Sequence, residues 1–116
     1  MMGQKDGFLG GSGHNPKKMH ETLASVAAQL MTGKNVLVEE QTVPVKRVGA
    51  ARLRMVEFKL SGRPFQAIEQ NPEKPSRWGK LAREKHQVVQ FRDVEAHKYV
   101  GVSVDGKLME YGKKEA

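Results

Sequence analysis

No cysteine occurs in the 116 residues. Disulfide bonds, thiolate nucleophiles and cysteine-based zinc sites are therefore excluded, and a reducing compartment is compatible with the chain. Long apolar runs are also lacking. None approaches the roughly 20 residues that a bilayer crossing needs, and the N-terminus lacks the apolar core of a secretory signal. A cytoplasmic protein with no membrane contact is the simplest expectation. Acidic residues are scarce as well: 13 Asp and Glu stand against 20 Lys and Arg, a formal net charge of +7 with a pI near 9.8. Such a balance favours polyanions and acidic surfaces as partners.

Hydrophobic residues make up 38% of the chain, somewhat low for a compact domain. The two ends account for part of that deficit. Residues 1–14 hold five glycines and little bulky apolar surface, too little to repay the entropy of ordering. The segment is expected to be a disordered tail. Its glycines are not followed by the Lys-Ser or Lys-Thr of a phosphate loop. A single domain is expected over 15–112, with a frayed tail at 113–116.

The residues Arg52–Gln70 organise what remains. Val56, Phe58 and Leu60 alternate with Glu57 and Lys59, the period of a half-buried antiparallel strand. Arg52 and Arg54 extend the apolar row toward the open end. Ser61-Gly62 suits a two-residue turn. Phe65 and Ala67 then share a face, while Pro64 requires a strand start or an edge.

Upstream, Asn15-Pro16 supplies an N-cap and a first helical residue. Met19, Leu23, Val26, Ala27, Leu30 and Met31 follow at helical spacing, which predicts a helix over Pro16–Thr32 with Gly33 as its C′ residue. A strand starting at Asn35 runs toward Glu39-Glu40. In a strand those two would point to opposite faces. Thr42–Val48 is a second run, in which Pro44 marks an edge or a bend in one long strand.

Downstream, Trp78, Leu81 and Ala82 fit one face of a short helix, with Trp78 expected to plug the core and Gly79 to let it approach the sheet. Gln87–Phe91, Tyr99–Val104 and Lys107–Tyr111 read as strands, and Asp105-Gly106 signals a type I′ turn. No parallel βαβ unit is present. The fold class is α+β: a small, strongly curved, mainly antiparallel sheet or partly open barrel of about six strands. An N-terminal amphipathic helix precedes it, and a short helix is inserted after the central hairpin.

Chemistry-bearing patterns are sparse. His14, His20, His86 and His97 form no pair at metal-ligand spacing, and neither a nucleophile elbow nor a metalloprotease helix occurs. No cofactor is implied, and a non-catalytic protein is expected. The basic residues say more. Lys46, Arg47, Arg52, Arg54, Lys59 and Arg63 gather around the hairpin; Lys74, Arg77, Lys80, Arg83, Lys85 and Arg92 surround the short helix. Cations that neutralise phosphates, beside rings that stack bases, are what single-stranded nucleic acid requires. DNA or RNA is the partner this pattern fits, with Arg52, Arg54, Lys59, Arg63, Arg77, Lys80 and Arg83 on phosphates and Tyr99 as the stacking ring. The competing expectation is a protein-interaction or structural module. In it, the 16–32 helix docks on a second copy of the chain or on another protein.

Overall fold

The computed structural model describes residues 16–73, 77–84 and 87–111. The tails expected at 1–14 and 113–116, and the N-cap Asn15, lie outside the described residues. Ten elements follow in order: α1 (Pro16–Thr32), β1 (Asn35–Val38), β2 (Gln41–Pro44), β3 (Lys46–Val48), β4 (Leu53–Leu60), β5 (Arg63–Glu69), α2 (Arg77–Glu84), β6 (Val88–Asp93), β7 (Lys98–Ser103) and β8 (Met109–Tyr111). Strands β3 to β8 form one antiparallel sheet in sequence order, and β1–β2 make a separate two-stranded ribbon. The fold is α+β. The sheet is open rather than closed into a barrel: β3 and β8 are its edges and do not pair with each other. At three residues each, they offer little backbone with which to close it.

Alternation gives the sheet two distinct faces. Val56 and Phe58 of β4, Phe65 and Ala67 of β5, Val89 and Phe91 of β6, and Val100 and Val102 of β7 are all buried on the first. Met19, Leu23, Val26, Ala27 and Leu30 of α1 complete the same cluster. The helix therefore spends its apolar stripe on its own sheet. Burying a side chain such as Leu23 or Leu30 contributes about 1.5–3 kcal/mol relative to leaving it exposed. α1 ends where the Gly33 N–H donates to the Gln29 carbonyl at 2.8 Å. Gly33 does not adopt the positive φ of a left-handed cap. Space there is tight instead: a Cβ would lie 3.2 Å from the Gln29 carbonyl oxygen and 3.3 Å from that of Asn35.

Trp78 packs on the other face. It is buried but stands outside the α1 cluster. A Cβ on Gly101 would fall 2.4 Å from its Cζ3 atom. Gly101 lies between Val100 and Val102, whose side chains enter the α1 core, so its own Cβ direction is away from α1. The expected core plug is thus a cover for the opposite side, and Gly101 provides the close approach there.

Turn chemistry accounts for two further differences from expectation. Glu39 and Glu40 have φ of 48° and 67° and form the two-residue turn between the paired residues Val38 and Gln41, not a continued strand. Two positive φ values match a type I′ hairpin, although each is unfavourable for a residue with a Cβ. Ser61 (φ 53°) and Gly62 (φ 81°) make the expected turn of the same kind, closed by Leu60 opposite Arg63. At Asp105-Gly106 only the glycine has positive φ. The Asp105 carboxylate instead accepts from the Ser103 hydroxyl at 2.7 Å and the Lys107 N–H at 3.0 Å. This side-chain network supports a wider loop in place of the type I′ turn.

Pro44 both bends the chain and ends a strand. β2 and β3 are separated only by Val45. β3 pairs with β4, whereas β2 turns away to pair with β1. The gap that opens beside β4 is bridged by a side chain. Gln41 Nε2 donates to the Lys59 carbonyl at 2.6 Å, and its Oε1 accepts the Lys59 N–H at 3.2 Å. Gln29 of α1 does the same for Leu37, donating to its carbonyl at 3.0 Å and accepting its N–H at 2.8 Å. Each amide stands in for a peptide group along a strand edge that would otherwise lack partners.

Candidate functional site

The hairpin arginines lie on the α1 side of the sheet and are engaged by carboxylates. Arg63 Nη2 donates to Asp93 Oδ2 at 2.8 Å, with Asp93 fully buried and Arg63 43% exposed. The second Asp93 oxygen accepts the Ala96 N–H at 3.1 Å, so one carboxylate holds both β5 and the turn into β7. Arg54 Nη1 is 3.6 Å from Glu69 Oε2, while Glu69 Oε1 accepts the Arg54 N–H at 2.9 Å. β4 begins at Leu53. Arg52 accordingly lies in the preceding turn with φ 54°, and its carbonyl accepts from Arg47 Nη1 at 3.0 Å. It does not continue the row of Arg54.

The face away from α1 gathers a different set. Lys59 lies between the inward Phe58 and Leu60 and is exposed there. Lys46 is opposite Met55, and directly opposed residues share a face. One transverse row crosses four strands in register: Glu57 opposite Gln66, Gln66 opposite Arg92, and Arg92 opposite Tyr99. Gln66 Nε2 donates to Glu57 Oε2 at 2.8 Å, and Arg92 Nη2 lies 3.4 Å from His97 Nδ1. α2 sits over β6 and β7 on this same side, through Trp78 and Gly101. Its exposed Lys80 and Arg83 therefore stand on that side of the sheet. The Arg77 side chain, Lys74 and Lys85 fall outside the described set.

Of the residues expected from sequence to form a site, Lys59, Lys80, Arg83 and Tyr99 thus share one side of the sheet. Arg54 and Arg63 belong to the other. Arg92 and Gln66 were missed as site residues, although Arg92 was counted in the basic set. Their alternation with the buried Phe91 and with Phe65 and Ala67 was the available signal. A groove of about 410 Å³ opens on this face, lined by Gln41, Glu57, Lys59, Pro64, Gln66 and Val94, with Phe58 and Phe65 at its base.

Other chemistry is thinly represented. Among the described residues no three His, Asp or Glu side chains are placed to hold a metal ion, and no described helix is long and apolar enough to cross a membrane. His20 lies on α1, remote in sequence from His97 in the β6–β7 turn. No protein-family model matches the chain, and no curated protein or solved structure matches it either.

Proposed function

We propose that the protein is a non-catalytic, cytoplasmic nucleic-acid-binding domain that receives single-stranded DNA or RNA on the face of the sheet opposite α1. One observation carries this reading: Arg92 and Tyr99 are cross-strand neighbours on that face, and the exposed cations Lys59 and Lys46 stand on the same face two and three strands from Arg92. A guanidinium beside a phenol ring provides a phosphate contact next to a stacking surface. Lys80 and Arg83 add charge from α2. A sheet surface suits a flexible single strand, whose bases can be splayed onto it, better than a duplex whose bases are stacked inside.

The protein-interaction reading has less to stand on. Its motivating surface, the apolar stripe of α1, is buried in the core. Among the described residues Leu37 alone is an exposed large hydrophobic side chain, far short of the contiguous patch that marks a docking surface.

Fluorescence anisotropy with labelled single- and double-stranded oligonucleotides tests the proposal. Three phosphate contacts give a slope of about −2 in log K against log salt for a single strand, so affinity falls roughly 20-fold between about 50 and 200 mM salt. Absence of binding at low salt, or binding indifferent to salt, overturns the proposal.

A further inference from the structure

We infer that the bound strand places a guanine over the Glu57–Gln66 pair, and that this pair gives the domain a preference for guanine over the other bases. The inference rests on the nucleic-acid reading above. Glu57 puts an exposed negative charge on a surface assigned to a polyanion. Among the described residues no cation lies within 4.0 Å of its carboxylate. On the face of it that charge weakens binding, unless a ligand group compensates for it.

The hydrogen bond to Gln66 defines which group that is. A carboxylate only accepts, so the Gln66 amide nitrogen must be the atom turned toward Glu57, at 2.8 Å from Oε2. This leaves Gln66 Oε1, the second Glu57 oxygen and the remaining lone pair on Glu57 Oε2 as acceptors. The pair therefore presents acceptors beside the groove of about 410 Å³, whose rim also carries Lys59. A base seated there must offer donors. Guanine presents N1–H and the N2 amino group side by side, matching the two oxygens of a carboxylate. Adenine and cytosine set a ring-nitrogen lone pair next to their amino group, and uracil or thymine flanks its single N–H with two carbonyls. Each of these turns an acceptor toward the carboxylate.

The spacing leaves room for the rest of the strand. Glu57, Gln66, Arg92 and Tyr99 are in register across four strands, and three inter-strand steps of about 4.8 Å span roughly 14 Å. Four-stranded sheet surfaces accommodate about two or three bases over such a width. Guanine over Glu57 and Gln66 thus leaves Tyr99 to stack a neighbouring base and Arg92 to meet the phosphate between them.

The test compares labelled oligouridylates of roughly eight nucleotides carrying one central guanine, inosine or adenine, with the deoxy series in parallel. Guanine is expected to bind about tenfold tighter than adenine or uracil, and inosine, which lacks the N2 amine, to lose most of that advantage. In Glu57→Gln the preference collapses, while affinity for the all-uracil oligomer rises because a repelling charge is gone. Equal affinities for all bases in the wild type, or a preference that survives Glu57→Gln, overturn the inference while leaving the nucleic-acid reading in place. Absence of binding to every oligomer removes the nucleic-acid reading and this inference with it.

Discussion

Gly101→Ala is the substitution whose cost follows most directly from the packing on the groove-bearing side of the sheet. The added Cβ would sit 2.4 Å from Trp78 Cζ3 and 2.5 Å from Cε3. Carbon atoms pack at about 3.5–4.0 Å, so the indole must retreat by roughly 1 Å or more, and α2 must move with it or the ring must leave its rotamer. Overpacking of this kind costs about 1–3 kcal/mol. Trp78 is the single tryptophan in the chain, so its emission reports the site without a label. With a urea m-value of about 2 kcal/mol/M, a cost near 2 kcal/mol lowers the unfolding midpoint by roughly 1 M. The native emission should also shift to the red as the ring becomes wetter. A second variant isolates the cause. In a Trp78→Leu background the clash is absent, so adding Gly101→Ala should cost well under about 1 kcal/mol, and the cycle should show strong coupling. Additive effects, or a Gly101→Ala protein with wild-type midpoint and emission, would refute the placement of Trp78 over Gly101.

Four further outcomes are expected. Arg63→Ala removes the partner of a fully buried carboxylate and should destabilise the fold by about 3–5 kcal/mol, measured by urea unfolding. Arg54→Ala, which breaks a longer pair whose carboxylate is partly exposed, should cost under about 1 kcal/mol. Gln41→Met deletes both bonds to the Lys59 backbone and should cost about 1–2 kcal/mol, with faster hydrogen exchange at the Lys59 amide as its specific signature. Glu40→Gly relieves a positive φ at a residue with a Cβ and should stabilise by about 0.5–1 kcal/mol, read as a rise in the thermal midpoint.

How much of this was legible in the chain depends on the range of the signal. α1 occupies the expected residues 16–32 because its stripe, its opening proline and its terminal glycine are all local. The turn at Ser61-Gly62 was equally plain, and Pro44 announced a break of the kind found. Glu39-Glu40 was not read as a turn because glutamate carries no turn chemistry; the change of parity in the apolar row, from Val36 and Val38 to Val43 and Val45, was the signal available. The ion pair between Arg63 and Asp93 joins residues 30 apart, with no periodic pattern to link them. Trp78 was readable as buried but not as to which side, since one apolar row on a short helix fits either face of a sheet. Gly101, in register with Gln90 and flanked by inward valines, is what decides it. The basic set illustrates the same limit. Composition counted the cations correctly, but strand parity and distant carboxylates sort them, sending Arg54 and Arg63 to one face and Lys59 to the other.

Backbone amide chemical-shift mapping with a short single-stranded oligonucleotide locates the bound strand on the protein. The perturbed amides should cluster at Lys59, Gln66, Arg92 and Tyr99, joined by the Gln66 side-chain amide, and the cluster should fade as salt rises. Perturbations confined to the solvent side of α1, around Lys18 and Glu21, or no perturbation at low salt, would contradict this placement.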